Sequence, residues 1–214
     1  MRLYSLIGNA LAAFLDFSAG VFVICLVALA LGYRADPAAY IIGGILGMAP
    51  DFDVFYMFFK KKRVYGDHHQ FITHRPVFGI ALSSLFGLLL GGDFWVIAAP
   101  SCLFWHYLHD TEGFGGGGVA WFWPLSKQYY SPFRIASPEK SLMGQNQDRH
   151  DNWLEATWLV PSKKSVTEIA IGSALLGIVA INIFDWKAGL LTVDAVWMCV
   201  FSLWMIFLCS KAHV

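Results

Sequence analysis

The chain has 214 residues, of which 57% are hydrophobic and 14% charged, with a mean hydropathy of +0.55. Soluble domains carry about 25% charged residues, so this composition excludes an ordinary soluble enzyme and places the chain in a membrane. Formal net charge is zero, and no nucleic-acid partner is evident. Apolar residues are spread through the whole length, so residues 1–214 read as one membrane-embedded domain. The four cysteines, Cys25, Cys102, Cys199 and Cys209, lie in apolar runs without C-x-x-C spacing. They read as small buried hydrophobes.

In chain order, Leu3 to Leu31 is apolar except for Ser5, Asn9, Asp16 and Ser18, long enough for a first span. Arg2 and the apolar run after it resemble a signal peptide, but Asp16 in the middle of the run argues against that reading. Tyr33 to Pro37 reads as a turn, with Pro37 placed to begin a short helix over 38–48 that Pro50 ends. Val77 to Leu90 and Phe94 to Leu108 read as third and fourth spans joined by Gly91-Gly92-Asp93. The polar stretch from Thr111 to Ser165 lies outside the hydrocarbon, and a hairpin of two further spans occupies 166–209. The expected fold is therefore an all-α, polytopic bundle of about six membrane segments.

Six crossings place the amino terminus, the 54–76 loop, the 111–165 loop and the carboxyl tail on one side. All of the fifteen Lys and Arg except Arg34 and Lys187 fall on that side, which the positive-inside rule makes the cytoplasm. Asp51, Asp53, His68, His69, His74, His106, His109 and Asp110 gather at that same face. Ionisable residues at the ends of spans are costly and point to function. Carboxylates and imidazoles are ligands for borderline and hard divalent ions.

His106 and Asp110 are four apart on a helix, with side chains about 6 Å apart, so both can reach one cation. His69 and His74 converge only if the chain bends between them, with Thr73 as a candidate helix cap. Asp51 and Asp53 point to opposite sides of an extended segment, where they hold two metals, or one metal and one histidine behind it. His109 reads as an amphipathic anchor at the interface, and His68 as either ligand or supporting group. Gly113, Gly115 and Gly118 match G-x-G-x-x-G but follow a helix, so a dinucleotide site is rejected. These glycines instead let the chain pass close to the metal centre or form a flap. Lys60 to Arg63 is explained by anionic lipid headgroups. Glu155 and His150, in D-R-H-D-N-W-L-E, are further candidates from the polar loop.

The strings G-M-A-P-D-F-D, H-H-Q-F-I-T-H, H-Y-L-H-D-T and W-F-W-P-L-S resemble the YdjM family of bacterial inner-membrane metal-dependent hydrolases. That family shows P-D-x-D, H-R-x-x-T-H-S and H-x-x-x-D followed by glycine and W-P, and the resemblance covers residues 43–133. Gln70 stands where the family tends to have Arg, and Arg75 where it has Ser. A histidine that the family often has near its amino terminus is missing; Asn9 and Asp16, seven apart on one helical face, are the nearest substitutes, and Asp16 reads otherwise as a buried polar partner for a neighbouring helix.

The resemblance implies a metal set of Asp51, Asp53, His69, His74, His106 and Asp110, with His68, Asp16 and Glu155 as possible additions. Through a distant similarity to zinc-dependent phospholipase C it also implies two or more divalent ions, most often zinc, with manganese or magnesium as alternatives. The expected chemistry is hydrolysis of an ester or phosphoester by metal-activated water, oriented by Asp51 or Asp53 as the catalytic carboxylates. The expected partners are membrane lipids and a small-molecule or lipid-like substrate. The alternative is a metal-binding membrane protein without turnover, either a transporter or a partner in an envelope complex.

Overall fold

A computed structural model describes residues 3–53, 69, 71–89, 92–111, 118–131, 134–136 and 153–212. Among these residues the fold is an all-α bundle. The helices are α1 (Leu3–Ala12), α2 (Phe14–Leu31), α3 (Pro37–Gly47), α4 (Pro76–Leu89), α5 (Asp93–Thr111), α6 (Lys163–Ile183) and α7 (Trp186–Ala212). A two-stranded antiparallel hairpin, β1 (Tyr129–Ser131) and β2 (Arg134–Ala136), lies within the polar stretch that was read only as loop.

The end of each element is written in local chemistry. Gly32 takes the left-handed conformation with φ 61° and donates to the Ala28 and Leu29 carbonyls, which closes α2. Asp36 Oδ1 accepts from Ala39 N at 2.8 Å and Pro37 fills the first turn, so α3 begins where its proline predicts. Ser162 and Ser165 exchange side-chain and backbone hydrogen bonds, which starts α6 at Lys163, three residues earlier than the apolar pattern alone indicates. The run from Leu3 has a local turn at Ala13 between α1 and α2, but hydrogen bonds from Ala13 N to the Asn9 carbonyl and from Phe17 N to the Ala13 carbonyl carry the helix through it, and Leu6–Leu31 is long enough for one span.

Among the described residues, three helices are long and apolar enough to cross a membrane: Leu6–Leu31, Lys163–Ile183 and Trp186–Lys211. Pro37–Gly47 and Pro76–Leu89 are apolar but short. At 1.5 Å per residue α4 spans about 21 Å, less than the roughly 30 Å of bilayer hydrocarbon. The side chains that this arrangement leaves outward include Leu89, Leu191, Met198 and Phe184, as a lipid-facing surface requires.

Helix α2 is the central wall, packed against α3, α5 and α6. On one side Ile24 and Ala28 join Ala39, Phe94, Ala98 and Cys102 in a buried cluster. On another, Val21 and Cys25 meet Val179 of α6. Leu154, Trp158 and Leu159 pack with Ile169, Val200, Trp204 and Phe207 to anchor the α6–α7 hairpin. Helices α2 and α3 touch backbone to backbone. A Cβ on Gly20 would collide with the Gly43 carbonyl, and one on Gly47 with the Asp16 carbonyl. Small residues of this kind let membrane helices approach closely, and here they draw the end of α3 towards the start of α2. That end of the bundle is where the polar residues collect.

Candidate metal centre

Two short turns, the end of α5 and His69 converge there. After α3, residues Ala49–Phe52 form a single 3-10 turn that carries Asp51, with Asp53 immediately following. A second 3-10 turn, Ile72–His74, carries His74 into the same space just before α4. Tyr107 of α5 donates its hydroxyl to the Thr73 carbonyl at 2.8 Å, which fixes that turn against α5. The last turns of α5 bring His106 and Asp110, and His69 arrives beside His74 with the two rings stacked 5.0 Å apart.

Each histidine is gripped from behind. His106 Nδ1 lies 2.8 Å from the Gly47 carbonyl, and His69 Nδ1 lies 3.0 Å from the Gly118 carbonyl. His74 Nδ1 lies 3.0 Å from Asp53 Oδ2, which also accepts from Thr73 Oγ1 at 2.7 Å. A carbonyl or carboxylate oxygen only accepts, so each Nδ1 carries the proton. The neutral ring then presents a bare lone pair on Nε2, which is the tautomer a metal takes, with the oriented second contact usual behind such ligands.

The Nε2 atoms meet two carboxylates. Asp110 Oδ2 is 3.1 Å from His106 Nε2, 3.4 Å from His74 Nε2 and 3.7 Å from His69 Nε2. Asp51 Oδ1 is 3.5 Å from His74 Nε2 and 3.6 Å from His106 Nε2. Charge-assisted N–H to carboxylate contacts close to about 2.7–2.9 Å, and these are wider. Ligands 2.0–2.1 Å from a tetrahedral ion are about 3.3 Å from one another, which is the separation seen here. His106 Nε2 and Asp110 Oδ2 are buried without a hydrogen-bond partner among the described residues, a costly arrangement that an ion would satisfy. The donors form two triads, Asp51–His74–His106 and His69–His74–Asp110.

The histidine rings are closed off: the side chains of His74 and His106 have no exposure, and Asp51, at 29%, is the most open of the five donors. The centre is therefore reached past Asp51.

The expected positions separate as follows. Asp51, His69, His74, His106 and Asp110 come together. Asp53, expected among the ligands and catalytic carboxylates, faces the rear nitrogen of His74 instead, because the segment is a 3-10 turn and not an extended strand. Thr73 does not cap a helix; its hydroxyl serves Asp53. Glu155 lies elsewhere, paired with Lys211 Nζ at 2.8 Å near the end of α7. His68, His150, Gly113, Gly115 and Lys60 to Arg63 lie outside the described residues.

Asp16 and His109 form a second polar cluster against the rear of the first. His109 Nδ1 is 3.0 Å from Asp16 Oδ1 and 3.1 Å from Oδ2. Its Nε2 is 3.7 Å from Glu168 Oε1, which Lys164 Nζ approaches at 3.5 Å. Asp16 Oδ2 also lies 3.8 Å from His106 Nδ1. His109 is thus no interfacial anchor: it turns inward to tie α5 to α2 and α6. Of the two readings of Asp16, the buried partner is the one this geometry matches. Glu168 escaped the sequence reading. An acid early in the otherwise apolar run of α6 was the available signal.

The chain matches the family described as YdjM inner membrane protein over residues 16–212. It is also 31% identical, over 121 residues, to the inner membrane protein YbcI of Escherichia coli strain K12, a match covering 51% of this chain and 68% of that protein. No solved structure matches it.

Proposed function

The chain belongs to the YdjM inner membrane protein family, and on that premise we propose that it is a multi-pass inner-membrane hydrolase whose cytoplasmic end holds a divalent metal centre. The observation that carries this reading is the convergence of three Nε2 nitrogens, each backed at Nδ1, on two carboxylate oxygens at tetrahedral-edge spacing.

His74, His106, Asp51 and Asp110 hold the ion, with His69 completing the set. Imidazole nitrogens mixed with carboxylate oxygens suit zinc; manganese is the next candidate, and magnesium, which prefers oxygen and water, fits least well. His74 offers one lone pair and would serve one ion; His69 and Asp110 are the residues that would be available to hold a second. A divalent ion bound there supplies Lewis acidity, polarising an ester or phosphoryl oxygen and lowering the pKa of water.

The protein's own groups do the rest. Gly47, Gly118 and Asp53 keep the imidazoles in the ligating tautomer. Asp51, on the open side, is placed to accept a proton from the attacking water, while Asp53 acts from behind His74. The apolar surroundings exclude bulk water, which strengthens every charge interaction at the centre. Because the site sits at the bundle end where Lys and Arg collect, its depth matches lipid headgroups, and an ester or phosphoester with a lipid-like body is the favoured substrate.

The test is metal analysis of the purified protein combined with assays on a generic phosphodiester and on phospholipid esters. Retained metal and turnover, both lost in His74→Ala and in Asp110→Asn, support the proposal. Retained metal without turnover on such a panel assigns the chain a non-catalytic metal-binding role.

A further inference from the structure

Helix α7 carries a feature that the metal centre does not use. Its inward face buries Val200, Trp204 and Phe207 against the rest of the bundle. Its outward face carries Lys187, Leu191, Asp194, Met198, Phe201, Met205 and Leu208, all exposed. These positions are separated by four, three, four, three, four and three residues, the 3.5-residue repeat that forms a seam between two helices crossing at a small angle. The most exposed members along it, Met198 at 70% and Leu191 at 68%, flank Asp194.

Asp194 makes this more than a lipid-facing stripe. Helix α7 has 27 residues and is about 40 Å long, some 10 Å more than bilayer hydrocarbon is thick. Asp194 stands about 12 Å along the axis from Trp186. With the excess length shared between the two ends, the Asp194 backbone falls about 7 Å inside the apolar layer, farther than an aspartate side chain reaches along the helix. Among the described residues it has no hydrogen-bond or ion-pair partner. Acids within membrane spans pair with one another or face a protein interior, and here the described residues provide neither.

We infer that α7 is a homodimer seam, in which two copies pack their 187–208 stripes around a two-fold axis and Asp194 meets its counterpart. Every copy inserts in the same orientation, so the same residue lies at the same depth and a parallel stripe is complementary to itself. Isologous two-fold pairing is also the commonest assembly of a single chain. Two facing carboxyl groups that hold a proton between them satisfy each other. A single polar residue in an otherwise apolar heptad seam sets register and pair number. The methionines beside it adapt to the opposing surface. This inference is independent of the metal centre, which lies on other helices.

The test uses the full chain in lipid vesicles, with association read by energy transfer between labelled copies as the protein-to-lipid ratio is varied. The wild type dimerises, Asp194→Asn still does so because two amides hydrogen-bond across the axis, and Asp194→Leu weakens association by about tenfold or more. In a chain with Cys199 and Cys209 changed to serine, Met198→Cys and Met205→Cys cross-link on oxidation. Ile206→Cys, exposed but off the stripe, does not. Monomers at every ratio, unchanged association in Asp194→Leu, or cross-linking through Ile206→Cys in place of Met198→Cys would overturn the inference.

Discussion

On one face of α5, His106 and Asp110 meet His69, His74 and Asp51 with bare nitrogens turned towards one another; on another face, one residue away, His109 is held between Asp16 and Glu168. The residue types are the same and each imidazole sets Nδ1 on an oxygen and Nε2 towards a carboxylate, yet the clusters differ in convergence: three Nε2 atoms gather on Asp110 in the first, and a single histidine sits between two acids in the second. At the first, the Nδ1 atoms point outward to Gly47, Gly118 and Asp53, and the Nε2 atoms face Asp51 and Asp110. At the second, the imidazole spends its Nδ1 on Asp16 and its Nε2 faces a carboxylate that Lys164 already approaches.

This contrast can be broken from either side. The largest effect is expected at the ligands: His106→Ala or Asp110→Asn abolishes metal retention, measured by elemental analysis, while Asp16→Ala leaves stoichiometry intact at saturating metal. The reverse ordering holds for stability. Removing Asp16 leaves His109 buried without its partner and is expected to cost about 3–5 kcal/mol, read as a lowered unfolding temperature in detergent. Loss of both metal and fold in every variant would merge the two clusters into one.

Next in size is Asp53→Asn. Since Asp53 acts on the rear of His74, this change should weaken metal affinity about 10- to 100-fold without eliminating binding, as competition with a chelator would measure. Complete loss would make Asp53 a ligand. Tyr107→Phe removes one hydrogen bond to the Thr73 carbonyl and is expected to cost about 1 kcal/mol of stability with modest loss of affinity. Smallest is Glu155→Ala, which breaks an exposed ion pair with Lys211 and should change stability by less than about 1 kcal/mol and metal content not at all.

Much of this arrangement was legible in the chain because its signals are local. Pro37 and Pro50 mark helix ends, and the four-residue spacing of His106 and Asp110 puts both on one helix face. The apolar content made an all-helical membrane bundle the only consistent fold. What escaped depended on contacts between distant segments. That Asp53 stands behind His74 follows from a 3-10 turn too short to leave a pattern. The acceptors for His106 and His69 are the backbone carbonyls of Gly47 and Gly118, which no side-chain motif announces. His109 faces inward because Asp16 and Glu168, 93 and 59 residues away in sequence, form the other walls.

The most direct test of the metal centre is elemental analysis of wild-type protein purified without added metal, set beside His106→Ala prepared identically. At least one divalent ion per chain in the wild type, and none in the variant, is the predicted result. Wild-type protein free of metal that also fails to take up zinc or manganese on dialysis, or a variant that holds as much as the parent, would contradict the account.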